Sequence, residues 1–216
     1  MIRCLRSACL TVVVLLAAAA APAARAQSVL GLSIGDSAGA VSRLGVAAKD
    51  SLLVGPMSIR GYDLPDGGRF EVAVDNQQNR FVFLQHSRLG AGGQAPGDLP
   101  GSTYGQTTLA ELRARCGSNG FAYPGGPGPS VVGDRYVLTN AYDIAGQPLV
   151  VMFLTTLPAD EVEKLKAAGP QGAAALGDRA VLAGMILARR EYLETVWGAE
   201  RISDDPCPPL AWGGTP

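Results

Sequence analysis

One pattern occurs twice along the chain, and that repetition constrains the fold more than any other feature. From about residue 29 to 89, and again from about 101 to 157, a glycine-led turn opens a short helix, a glycine- and proline-rich loop follows, and the segment ends in strands. A short amphipathic helix and a set of half-greasy strands each have one face that water rejects, so each copy is expected to lay its helix on its own antiparallel sheet.

The local signals are explicit. In the first copy Gly35-Asp36-Ser37 starts the helix, with Asp36 as the expected N-cap. Ala38, Val41 and Leu44 recur at helical spacing, and Gly45 occupies the position just past the end. In the second copy Thr108 and Glu111 have the spacing of a capping box, Leu109, Leu112 and Cys116 share a face, and Gly117 ends the helix. Strands are predicted over 57–62, 69–75 and 81–84, then over 135–142 and 149–154. Phe70, Val72 and Val74 alternate with Arg69, Glu71 and Ala73, the pattern of a strand with one wet face. The segments 81–84 and 149–154 are apolar throughout and belong between two covering layers.

After residue 158 the character changes. A polar helix is expected over 160–168. A longer helix is expected over 178–199, capped by Asp178, with Val181, Leu182, Met185, Ile186, Tyr192, Leu193 and Val196 as its apolar stripe. The expected architecture is α+β. It has two tandem helix-on-antiparallel-sheet units at 27–89 and 101–157, a Gly/Pro-rich linker at 90–100, and a helical extension with a proline-rich tail at 158–216.

Residues 1–26 have the composition of a secretory signal peptide. Arg3 and Arg6 precede an uncharged apolar run over 10–21, Pro22 breaks it, and Ala24-Arg25-Ala26 sets cleavage between Ala26 and Gln27. The run is too short to cross a bilayer comfortably, and no span is expected after its removal. The expected destination is the periplasm or the medium. The whole chain carries 18 basic and 19 acidic residues, net −1, which excludes electrostatic capture of nucleic acid as a main activity. Cleavage removes three arginines and no acid, so the mature chain is more acidic still. It also removes Cys4 and Cys9. The remaining pair, Cys116 and Cys207, is expected to form a disulfide in an oxidising compartment.

The stretches Gly35…Val41…Leu44-Gly45 and Gly105…Leu112…Cys116-Gly117, each followed by strands, resemble the repeated unit of β-lactamase-inhibitor-protein-like domains, and the single unit of the BamE (SmpA) family is similar. The resemblance covers about residues 29–157. It implies small helical layers on antiparallel sheets and a role in binding proteins in the cell envelope or outside the cell.

The chemistry-bearing residues are sparse. His86 is the one histidine, which excludes a multi-histidine metal site. It adjoins Ser87, but neighbours on a strand point to opposite faces, so the two cannot act on each other, and a partly exposed strand-end histidine is expected. Asp63 and Asp66 fall in a turn, where aspartate bonds the backbone. The runs 90–97 and 125–129 lack the Gly-Lys-Ser/Thr sequel of a phosphate loop. No motif implies a cofactor. Arg60, Tyr62, Arg69 and Glu71 are the candidate binding residues, read as lying on strand faces opposite the apolar ones. The expectation is an exported, non-catalytic module that binds a protein partner. The competing one is a small exported hydrolase working through carboxylates.

Overall fold

The structure is a computed structural model that describes residues 27–89, 95–96, 98–203 and 205–211. The predicted signal peptide, its cleavage residue Ala26 and most of the glycine-rich stretch 90–97 lie outside the described residues.

A 3-10 helix, Ala38–Leu44, precedes four strands: β1 (Asp50–Val54), β2 (Met57–Asp63), β3 (Arg69–Asp75) and β4 (Arg80–Ser87). Two short strands, β5 (Ala95–Pro96) and β6 (Thr103–Tyr104), pair with each other. Then come α1 (Leu109–Cys116), β7 (Ser130–Val132), β8 (Arg135–Asp143), β9 (Leu149–Pro158), α2 (Ala159–Ala167), α3 (Gly169–Arg179), β10 (Val181–Arg189) and α4 (Arg190–Trp197). Eight strands form one antiparallel sheet in the order β1-β2-β3-β4-β10-β9-β8-β7. The fold is a mixed α/β protein built on that sheet, and no helix among the described residues is long and apolar enough to cross a membrane.

Local chemistry explains several boundaries. Thr108 and Glu111 form the predicted capping box, with Thr108 Oγ1 accepting from the Glu111 amide at 3.2 Å and Glu111 Oε2 accepting from the Thr108 amide at 2.7 Å. Gly45 and Gly117 both end their helices in the left-handed region, at φ 68°, where a side chain would be strained. Asp36 is not the N-cap. Ser37 holds that position, and Asp36 Oδ2 accepts from the Ser33 amide one turn earlier.

The extension departs from expectation at its centre. Val181–Arg189 is not helix but the strand β10, paired to β4 on one side and β9 on the other. Its side chains are buried in both directions from Leu182 to Ala188. A fully apolar run carries no period that separates a buried strand from a buried helix, so the predicted stripe was an artefact of apolarity on every side. Only 190–197 remains helical, as α4.

One face of the sheet is covered from β2 to β8. Phe70, Val72, Leu84, Met185, Leu187, Val151 and Phe153 meet Leu32, Ala38, Leu112 and Cys116 in a core drawn from both halves of the chain. Leu109 of α1 and Val162 of α2 extend that cover over Leu157. The other face is covered from β8 to β10 and onto β4, where the Phe83 ring centre lies 5.8 Å from that of Tyr192 of α4, and is open toward β1. In the covered part Leu193 of α4, Phe121 and Tyr123 sit on Val150, Met152, Leu154, Ile186 and Ala188. An ion network ties this layer down: Asp143 accepts from Arg190 and Arg201, and the Arg201 guanidinium lies 4.5 Å from the Phe121 ring centre. The glycine run after Pro124 belongs to the same layer, because any Cβ on Gly126 would lie 3.2 Å from the Trp197 ring.

Candidate functional site

The uncovered end of the second face is the candidate site. Register decides what stands on it. Leu52, Ile59, Ala73 and Phe83 lie abreast across β1 to β4, but Ala73 is fully buried and Phe83 sits under Tyr192, so the open apolar members are those of β1 and β2; Asp50, Gly61, Glu71 and Gln85 form the next row. Asp63 and Arg69 form the row beyond. The face therefore has an apolar end, extended by Val54 opposite Met57, and a charged end.

Arg69 is the hub of the charged end. Its Nη2 lies 2.8 Å from Asp50 Oδ2, its Nε 2.9 Å from Glu71 Oε1 and its Nη1 3.2 Å from Asp63 Oδ1. Lys49 closes the cluster on Asp63. Gly61 makes this possible: a Cβ there would overlap Arg69 Nη2 and Asp50 Oδ1. The hydrogen bond from Arg69 to Asp50, then that to Glu71, raises the guanidinium above its ordinary pKa. The bond from Lys49 holds the Asp63 carboxyl below the usual carboxylate range. Half exposed, the cluster is worth little to stability, and it fixes the orientation of charge on this face.

Of the four residues nominated from sequence, Arg69 and Glu71 stand here. Arg60 and Tyr62 do not. The register sets Tyr62 opposite Phe70, so both point into the covered core, where Tyr62 is 3% exposed and its ring centre lies 6.2 Å from that of Phe70. Arg60 shares that side of β2 two residues earlier. The residues that sequence reasoning missed are Lys49, Asp50 and the β1 leucines. A signal for them existed: an apolar run before the two-residue turn Gly55-Pro56, with a second strand beginning at Met57, is a hairpin pattern.

His86 lies elsewhere. It is 3% exposed rather than partly open, because it faces the core side opposite Phe70. Its Nδ1 lies 2.8 Å from Asp98 Oδ2, the Tyr104 hydroxyl donates to the same oxygen at 2.6 Å, and the Leu30 amide donates to Oδ1 at 2.9 Å. Burial pushes the Asp98 carboxyl up, and these three donors outweigh it and bring its pKa below the ordinary value. Burial first, and the Asp98 charge second, push the Tyr104 phenol up. An aspartate orienting a histidine is the arrangement a general base needs. Here Nε2 is buried without a partner among the described residues, and the backbone at Gly68 closes over it, since a Cβ there would come within 3.0 Å. The dyad fastens chain segments instead: Asp98 joins the N-terminal stretch, β4 and β6.

Several carboxylates are taken up by structural partners. Asp66 accepts from the Gly68 amide at 3.0 Å and pairs with Arg88, a turn role. Asp63, Asp98 and Asp160 all have lowered pKa values, opposite to what a general acid requires. Among the described residues no group of three His, Cys, Asp or Glu side chains is placed to hold a metal ion.

Cys116 and Cys207 are free thiols in this structure, where a disulfide is expected from sequence. Both pack against the shared core, and Ser118 Oγ lies 3.4 Å from Cys207 Sγ. Burial, and secondarily the neighbouring Cys207, push the Cys116 thiol up to about 12. Burial and a raised pKa are the opposite of what a reactive thiolate needs. An open cleft of about 580 Å³ lies beside the pair, lined by Arg113, Ser118, Asn119 and Asp205 among others.

No protein family, curated protein or solved structure matches this chain, so the open face, with its apolar end beside an ion cluster, carries the functional reading by its own geometry.

Proposed function

We propose that this protein is an exported, non-catalytic binding module of the cell envelope or the medium, and that it takes a protein partner on the open end of that face, at the apolar residues of β1 and β2 and the Arg69 cluster. One observation carries the reading. One sheet face is covered by α4 and its neighbours as far as Phe83 of β4, while its far end presents Leu52, Val54, Met57 and Ile59 beside the Arg69 cluster. An apolar patch beside fixed charge suits a protein-contact surface, and solvent-exposed β-branched and leucine side chains in a group ask for cover.

The same reading treats the molecule as two tandem units, residues 27–89 and 101–157, the second completed by strand β10 from the extension. The backbone supports it. The amide of Ala38, first in its helix, donates to Asn79 O, and that of Leu109 donates to Ala180 O. The amides of Gly35 and Gly105 donate to Phe81 O and Leu182 O. Ser37 bridges Arg80 at the start of β4, and Thr108 bridges Val181 at the start of β10. Each helix is therefore pinned at its N-terminus to the fourth strand of its own meander.

A photoreactive residue placed at Ile59, with a second version at Val131 on the far edge, tests the proposal in the intact envelope fraction. Adducts to a different protein from position 59, lost on Arg69→Ala and absent from position 131, are the expected result. Equal adducts at both positions, or none at 59, overturn it.

A further inference from the structure

The two edges of the sheet are not alike. β7 is three residues long, follows Pro127 and Pro129, and is succeeded by Asp134 and Arg135. Short length, proline and charge are the devices that keep an edge from pairing. β1 has none of them between Ser51 and Val54. All five of its residues are exposed, Leu52 by 60%, Leu53 by 71% and Val54 by 51%, and among the described residues nothing lies along its outer side.

We propose that β1 is the edge through which two copies of this chain join, antiparallel, to continue the sheet across a two-fold axis. The backbone gives the register. Val54 and Met57 close the two-residue turn, and the alternation of an antiparallel ladder then turns the amides and carbonyls of Ser51 and Leu53 outward. One register pairs both outward residues of each strand, Ser51 with Leu53 of the second copy and the reverse. It sets Leu52 against Leu52 of the second copy at the axis, in the close non-hydrogen-bonded pair where side chains touch best.

Charge selects a second copy as the occupant. Asp50 is paired with Arg69 and Lys49 with Asp63, so the edge meets its own copy electrically satisfied. In the two-fold register Asp50 falls opposite Val54, and the charged ends of the two strands lie at opposite ends of the joint. No like charges face each other. The guarded β7 edge disfavours a head-to-tail β1–β7 chain, which leaves the closed pair. A five-residue edge buries less than the ~1,200 Å² of a standard stable interface, so association is concentration-dependent. Leu52 belongs to both this joint and the open face, whereas Leu53 points to the opposite face, so a change at Leu53 tests the joint and leaves the partner surface intact.

Sedimentation of the full chain over about two decades of concentration tests it. The wild-type chain and Val131→Lys are expected to pass from monomer to dimer. Leu53→Lys, folded by circular dichroism, is expected to associate at least about tenfold more weakly, and Ser51→Lys repeats the test at the other outward residue. Hydrogen exchange at the Ser51 and Leu53 amides should slow only in the dimer. A wild-type chain that stays monomeric, lysine variants that associate as the wild type does, or species growing beyond the dimer overturn the proposal.

Discussion

Asp98 shows how a single side chain can hold a fold together without appearing in any motif. It takes three donors from three separate segments, and those donors keep it ionised despite burial. Its folded pKa lies below the ordinary value of 3.8, so its contribution is present above that value and is lost as pH falls through it toward the folded pKa. Asp98→Asn replaces the charge with a neutral acceptor and is expected to cost about 1–3 kcal/mol at neutral pH. The gap between variant and wild type should close as pH drops below 3.8, as measured by urea unfolding at several pH values. A gap that stays constant down to that pH would show that the carboxylate charge is not what binds the three segments. Nothing in the sequence around Gly97-Asp98-Leu99 marks this role, because its partners are brought in by β4, β6 and the N-terminal stretch.

At the scale of elements, β10 is the instructive case. A central strand buried on both faces needs no alternation, and Val181–Arg189 shows none. Gly184 reveals what the strand demands. It sits at the register shift between Leu182 and Gly184, where a Cβ would lie 2.8 Å from Leu154 Cδ1 and 2.9 Å from the His86 carbonyl oxygen. The leucine methyl can give way; the backbone of β4 cannot move without disturbing the pairing. Gly184→Ala is expected to destabilise by about 1–3 kcal/mol, seen as a lower urea midpoint with an unchanged slope. An unchanged midpoint would show that β4 and β10 yield more readily than a packed sheet centre should. The edge strands escaped sequence reading for the opposite reason: β1 and β7 are exposed on both faces, so no burial pattern is written into them.

The whole molecule depends on the joint between β4 and β10. Through it, eight strands form one sheet, and the main core draws Phe70, Leu84, Met185 and Phe153 into a single cluster. Residues 27–100 alone would leave β4 as a bare apolar edge and Phe70 and Leu84 without half of their neighbours. That fragment is expected not to fold, showing no cooperative urea transition and no dispersed amide spectrum, whereas residues 27–211 fold as one unit. A cooperatively folded fragment would mean that the first half carries a core of its own.

Much was legible in the residues alone: the capping box at Thr108, the terminating glycines Gly45 and Gly117, the alternating strand at Arg69–Asp75 and the turn role of Asp66. These are decided within a few residues, where backbone bonding and side-chain period act directly. Tertiary structure alone decided that Tyr62 faces inward while Arg69 faces out, that His86 is sealed by Gly68, that 181–189 is strand rather than helix, and that the β1–β2 end of one sheet face stays open. Each of those outcomes turns on which distant surface arrives to cover a residue, and a linear pattern records the wish to be buried without naming what will do the burying.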